Sequence, residues 1–151
     1  MAEAKVPPSL QAFLLCEKVD TAPDGVHSLI RVFDRTTLNI EVVRPPGATG
    51  PPPPGAIIAE HELSVFTKWG NGVGHFNQWV EIVNPKGEAI RTPEALFWLP
   101  TRAATHTTIG RIRVGISEGG RYLLRLYLDG EQVAEIVWSV DFNVREIPRP
   151  V

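Results

Sequence analysis

Residues 120–142, GRYLLRLYLDGEQVAEIVWSVDF, decide the fold. Tyr122, Leu124, Leu126 and Leu128 recur at every second position. Past Asp129-Gly130 the same alternation resumes with Ala134, Ile136, Trp138, Val140 and Phe142. A period of two puts one side of each strand into a core and the other into water. Asp-Gly supplies the positive φ angles that a two-residue hairpin requires. The stretch therefore predicts an antiparallel hairpin with one buried face, Arg125 lying on the other.

Working outward, the same grammar covers most of the chain. Residues 105–117 place Ile112, Val114 and Ile116 in phase. Residues 10–20 and 26–33 flank Ala22-Pro23-Asp24-Gly25, in which proline presets φ and glycine permits its reversal. Residues 36–43, 56–69, 75–83 and 88–99 are further strand candidates, with Pro93 marking a bulge or an edge. No window shows capped helical periodicity, and residues 93–99 are the best rival. Eight or nine strands joined by Gly and Pro turns predict an all-β fold. Its form is a two-sheet antiparallel β-sandwich, immunoglobulin-like or of a related Greek key.

Residues 44–55, RPPGATGPPPPG, hold six prolines and three glycines. Proline cannot donate to a ladder, so this is an exposed loop between strands. Neither flank has a complete core by itself. Residues 1–151 thus form a single domain with tails at 1–9 and 145–151. A chain of this length can bury enough surface to fold without disulfide or metal.

The ends carry a resemblance. FLLCEKV at 13–19 leads through Gly25 to SLIRVFDR at 28–35, and Gly120-Arg121-Tyr122 is followed by RLYLDGE at 125–131. Together these resemble a group of small bacterial β-sandwich proteins of unknown function. That group opens on a hairpin ending I-x-G-x-F-D-R and closes on G-x-Y…L-x-L-D-G-E. The resemblance implies the sandwich fold and brings no catalytic residue with it. This chain has Arg31-Val32 where the group has glycine.

The net charge of −2 lacks the basic footprint of a nucleic-acid or anionic-membrane binder, and neither partner is expected. No run approaches the ~20 apolar residues of a spanning helix. With one cysteine, Cys16, and no signal-peptide core, a cytoplasmic setting is expected. Cys16 lies in an apolar run, which predicts a small buried hydrophobe. His27, His61, His75 and His106 have no metal-ligand spacing. His61 is expected to be half-buried and hydrogen-bonded. No nucleophile elbow or phosphate loop occurs, so no enzyme activity, metal or cofactor is expected.

Two sets of residues remain as candidate contacts. Arg111, Arg113 and Arg125 would serve an anion if they met, although pairing with acids such as Glu135 or Glu118 is the plainer expectation. Residues 13–15 and 95–99 are apolar on both strand faces, and Trp69 and Trp79 flank a glycine-rich turn. Two-sided apolar strands need cover from a loop or from another molecule. Trp69, Trp79, Phe97 and Trp98 are therefore the expected interface. The chain is read as a non-enzymatic structural or protein-interaction module with a protein partner or a second copy of itself. The alternative is a small-molecule or carbohydrate-binding sandwich that stacks ligand on exposed tryptophan.

Overall fold

The computed structural model describes residues 5–43, 47 and 56–147; all but Gly47 of the expected Pro-rich loop, and the outermost tail residues, lie outside them. Alternating side chains and β-branched residues give strands throughout, and the described residues contain no helix. The ten strands are β1 (Ser9–Thr21), β2 (His27–Val32), β3 (Arg35–Val43), β4 (Ala59–Gly70), β5 (Gly74–Val83), β6 (Ala89–Arg91), β7 (Ala95–Leu99), β8 (Thr105–Ile116), β9 (Gly120–Leu128) and β10 (Glu131–Ile147).

They form two sheets. One has the order β2-β1-β4-β8, and the other β3-β10-β9-β5-β6, with β7 also on β5. This is the expected sandwich with two refinements. Pro93 divides the single strand expected at 88–99 into β6 and β7, because the residues around a proline cannot keep the ladder continuous. β3 pairs with β10 in parallel, Arg35 opposite Ser139 and Val43 opposite Ile147. Only Phe33 and Asp34 separate β2 from β3, yet the strands belong to different sheets. Phe33 N donates to Leu15 O at 3.1 Å in one sheet, while Asp34 O accepts from Ser139 N at 2.9 Å in the other. A strand that kinks and continues changes sheets without reversing. Just before the crossing, Arg31 inside β2 is held at φ +54. Arg35 then clamps the crossing through Asp141, its Nε 3.0 Å from Oδ2. That hydrogen bond, with the guanidinium charge, holds the Asp141 carboxyl below the usual carboxylate range.

The core lies between the sheets. Leu15, Leu63, Val65, Trp69, Ile112, Val114 and Ile116 face Phe76, Val80, Phe97, Leu99, Leu124, Leu126 and Trp138. Fully burying such a side chain contributes about 1.5–3 kcal/mol. Tyr122 closes the crossing from β8 to β9: its hydroxyl donates to the Glu118 carbonyl at 2.9 Å. A tyrosine reaching back from the start of this strand to the preceding corner is a hallmark of immunoglobulin-like sandwiches. Asp129 and Gly130, at φ +50 and +84, make the predicted hairpin turn. The strands extend into the expected tails. β10 runs to Ile147, and Val6 and Val73 exchange backbone hydrogen bonds of 2.8 and 3.0 Å.

Candidate contact surface and inter-sheet cleft

β7 reads ALFWL, and its alternation sorts the aromatic residues. Phe97 and Leu99 point inward, while Leu96 and Trp98 stand on the outer face, 81% and 57% exposed. On the adjacent strand β5, His75 lies opposite Trp98 and stacks on it at 5.7 Å and 10°. Further along β5, Trp79 stacks on Tyr127 of β9 at 5.3 Å and 7°. The Arg91 guanidinium lies 4.6 Å from the Trp79 ring centroid.

Trp69 and Phe97 are core residues, only 1% and 5% exposed, and stack on each other at 6.1 Å. The Trp69 indole N–H donates to Gln78 Oε1 at 2.7 Å, so its polar atom needs no water. Burial removes both residues from any surface contact, and the expected set narrows to Trp79 and Trp98. His75, Leu96 and Tyr127 were missed. The parity of Leu96 with Trp98 was a readable signal, whereas the neighbours on β5 and β9 depend on strand order. The second apolar stretch, residues 13–15, is divided differently: Leu15 enters the core, and Leu14 packs outward opposite Phe66.

The three arginines do not converge. Arg111 and Arg113 stand on β8 in the four-stranded sheet, and Arg125 on β9 in the other. Consecutive strands of a Greek-key sandwich cross between sheets, so adjacency in sequence gave the wrong neighbours. Arg125 pairs with Glu135 at 3.1 Å and Glu81 at 3.5 Å, and Arg113 with Glu62 at 3.5 Å.

His61 packs against Trp138 at 5.6 Å and Phe33 at 6.3 Å. It is half-buried as expected, but its Nε2 has no hydrogen-bond partner. Burial pushes its pKa down, with Glu17 acting weakly the other way. Burial likewise lowers His106, stacked on Phe97 at 4.8 Å. Cys16 is fully buried, with its Sγ 3.8 Å from the Ser64 carbonyl, and burial raises the thiol pKa. Among the described residues no three His, Cys, Asp or Glu side chains group to hold a metal ion. No helix among them is long and apolar enough to cross a membrane.

A cleft of about 240 Å³ opens between the two sheets where β8 faces the break between β6 and β7. Pro93 forces the break. Thr92 bridges it, its N–H donating to Val80 O at 2.8 Å and its hydroxyl accepting from Val80 N at 2.9 Å. Glu94 braces the far side, accepting from Asn77 Nδ2 at 2.9 Å and Arg91 Nη2 at 2.8 Å. Across the gap Gly110 shares the inward phase of Ile112, and a Cβ built on it would meet nothing within 4 Å. Buried Thr67 and Gln78 lie along the cleft and bond each other, Gln78 Nε2 donating to Thr67 Oγ1 at 3.2 Å.

No family model and no curated protein matches this chain. Among solved structures it is similar to part of a Pseudomonas fluorescens alkylpurine DNA glycosylase, AlkC, bound to DNA containing an abasic site analog. The identity is 13% and the TM-score 0.40. The likeness covers 85% of this chain but 30% of that one, and assigns no activity or ligand here. One expectation is nonetheless corrected. The expectation that set nucleic acid aside as a partner rested on net charge alone, and it is withdrawn on that ground. Local fields decide such binding, and a net charge of −2 sets no partner class aside.

Proposed function

We propose that this chain is a non-catalytic contact module that docks a protein surface on the outer face of its larger sheet. In the simplest form the docked surface is a second copy of the chain. The observation that carries this reading is the exposure of Leu96 and Trp98 on an edge strand. Among the described residues β7 pairs only with β5, so its other backbone edge is free. An apolar edge strand with unpaired N–H and C=O groups invites pairing with another chain. The stacked rings of His75, Trp98, Trp79 and Tyr127 extend the surface in rigid aromatic units, which contact surfaces favour. The alternative, sugar stacking on exposed tryptophan, keeps less support. Trp69 is buried, and Trp79 and Trp98 already stack on neighbours.

The test is sedimentation velocity from low to high micromolar concentration. Wild type is expected to shift from monomer to dimer, and Leu96→Ser/Trp98→Ser to stay monomeric with an unchanged circular dichroism spectrum. A wild type that stays monomeric throughout overturns self-association. Single-stranded DNA that protects Trp98 from acrylamide quenching in such a monomer replaces the protein reading with a nucleic-acid one.

A further inference from the structure

We propose that the cleft between β8 and the β6–β7 break is a binding site for a small planar aromatic molecule that carries one hydrogen-bond acceptor. Three independent features converge on it. The first is Gly110. Glycine inside a strand weakens it, and is kept where the backbone needs a positive φ or a close approach. Gly110 has neither: its φ is not positive, and the space a Cβ would occupy is empty. Its neighbours Ile109, Ile112 and Val114 are the β-branched residues a strand favours. The missing side chain therefore accounts for space, not for backbone geometry.

The second feature is the shape. The cleft is a slot between two sheets, with Val65 and Ile112 on one wall and Val80 on the other. Packed sheets lie about 10 Å apart, so the gap left by one missing side-chain layer suits a flat ring. An apolar cavity of about 150 Å³ takes up benzene, and this one measures about 240 Å³. A single ring with one or two substituents fits that volume.

The third feature is the spare donor. The Trp69 indole can only donate, so it fixes the oxygen of the Gln78 amide on its own side. With the oxygen so assigned, Thr67 Oγ1 lies 3.4 Å from it and 3.2 Å from the amide nitrogen, from which it takes one hydrogen. The second N–H has no acceptor among the described residues. Gln78 is only 4% exposed and lines the cleft, so an acceptor on an entering ring can take that hydrogen bond. The proposal does not rest on the outer-face reading: Trp79 borders both surfaces, but Gly110 and Gln78 belong to the cleft and Leu96 and Trp98 do not line it.

Phenol is the probe, titrated into the full 15N-labelled chain. Saturable shifts are expected at the Gly110 amide and the Gln78 side-chain NH2, with benzene binding several-fold more weakly because it offers no oxygen. Gly110→Val is expected to fold, melt at a higher temperature and lose the phenol response, since its side chain fills the slot. No saturable shift in wild type overturns the proposal, as does an unchanged response in Gly110→Val. Shifts confined to His75 and Trp98 place phenol on the outer face and also overturn it. Should the valine variant not fold, the phenol-to-benzene ratio on wild type decides alone, with equal affinities counting against the Gln78 contact.

Discussion

Arg31 is a residue in the wrong conformational region for its side chain, and replacing it with glycine should stabilise the protein. It holds φ +54 within β2, shortly before the chain leaves one sheet for the other at Phe33 and Asp34. A side chain in the left-handed region costs about 1–2 kcal/mol. Glycine removes that cost but adds freedom to the unfolded chain, worth about 0.5–1 kcal/mol. The lost ion pair with Glu17 is long, at 3.4 Å, with side chains 80% and 56% exposed, and weighs little. The balance is a gain of about 0.5–1 kcal/mol, or about 2–3 °C in Tm for a chain of this size. Urea and thermal unfolding of wild type, Arg31→Gly and Arg31→Ala measure it. Alanine also lacks the charge but keeps the strain, so it should fall within about 0.5 kcal/mol of wild type. A glycine variant no more stable than wild type, or an alanine variant that gains as much, refutes the reasoning.

Tyr122→Phe keeps the ring that packs 5.3 Å from Trp138 but deletes the hydroxyl bonded to the Glu118 carbonyl. The loss should be about 1–2 kcal/mol, a fall of roughly 3–6 °C by calorimetry, and a fall under about 1 °C would show that the corner bond contributes nothing. Burial lowers the pKa of His61 and His106 in the folded chain, so the unfolded chain takes up protons first. Their contribution is complete above about pH 6.5 and drains away as pH falls through the folded values. The urea midpoint should therefore drop on acidification in that window, less steeply in His61→Phe; a midpoint that rises there is incompatible with neutral buried imidazoles.

The hairpin of β9 and β10 was legible because local information sufficed. Alternation set the buried face, and Asp-Gly set the reversal. Local information ended where the sheets part. β8 and β9 are consecutive but lie in opposite layers, so Arg111 and Arg113 were joined with an Arg125 that faces elsewhere. Trp69 and Trp98 look alike in sequence, each in a strand with apolar residues on both faces. What separates them is the neighbour across the ladder or across the core: Trp69 meets Phe97 and Gln78, while Trp98 meets His75 and solvent. The cleft was invisible for the same reason. Pro93 and Gly110 each read as a local interruption, and only the packing of the two sheets sets them face to face.

Several residues of the two terminal motifs work as joints. Gly120 takes φ +142 beneath Pro85, whose Cγ would lie 2.9 Å from an added Cβ. Tyr122 ties the next corner, and Asp129 caps its hairpin by accepting the Asn77 N–H at 2.9 Å. Asp34 and Arg35 carry the chain between sheets and fasten it there. Joints are demanding because each needs one φ, one donor or one close approach, so a motif built from them specifies a scaffold and is silent about its use. A partner or ligand is instead met by positions the scaffold leaves free to vary. Leu96 and Trp98 point away from the core, and Gly110 supports no backbone geometry. Substitution there should change binding while leaving the sandwich intact, the opposite of what is expected at Tyr122.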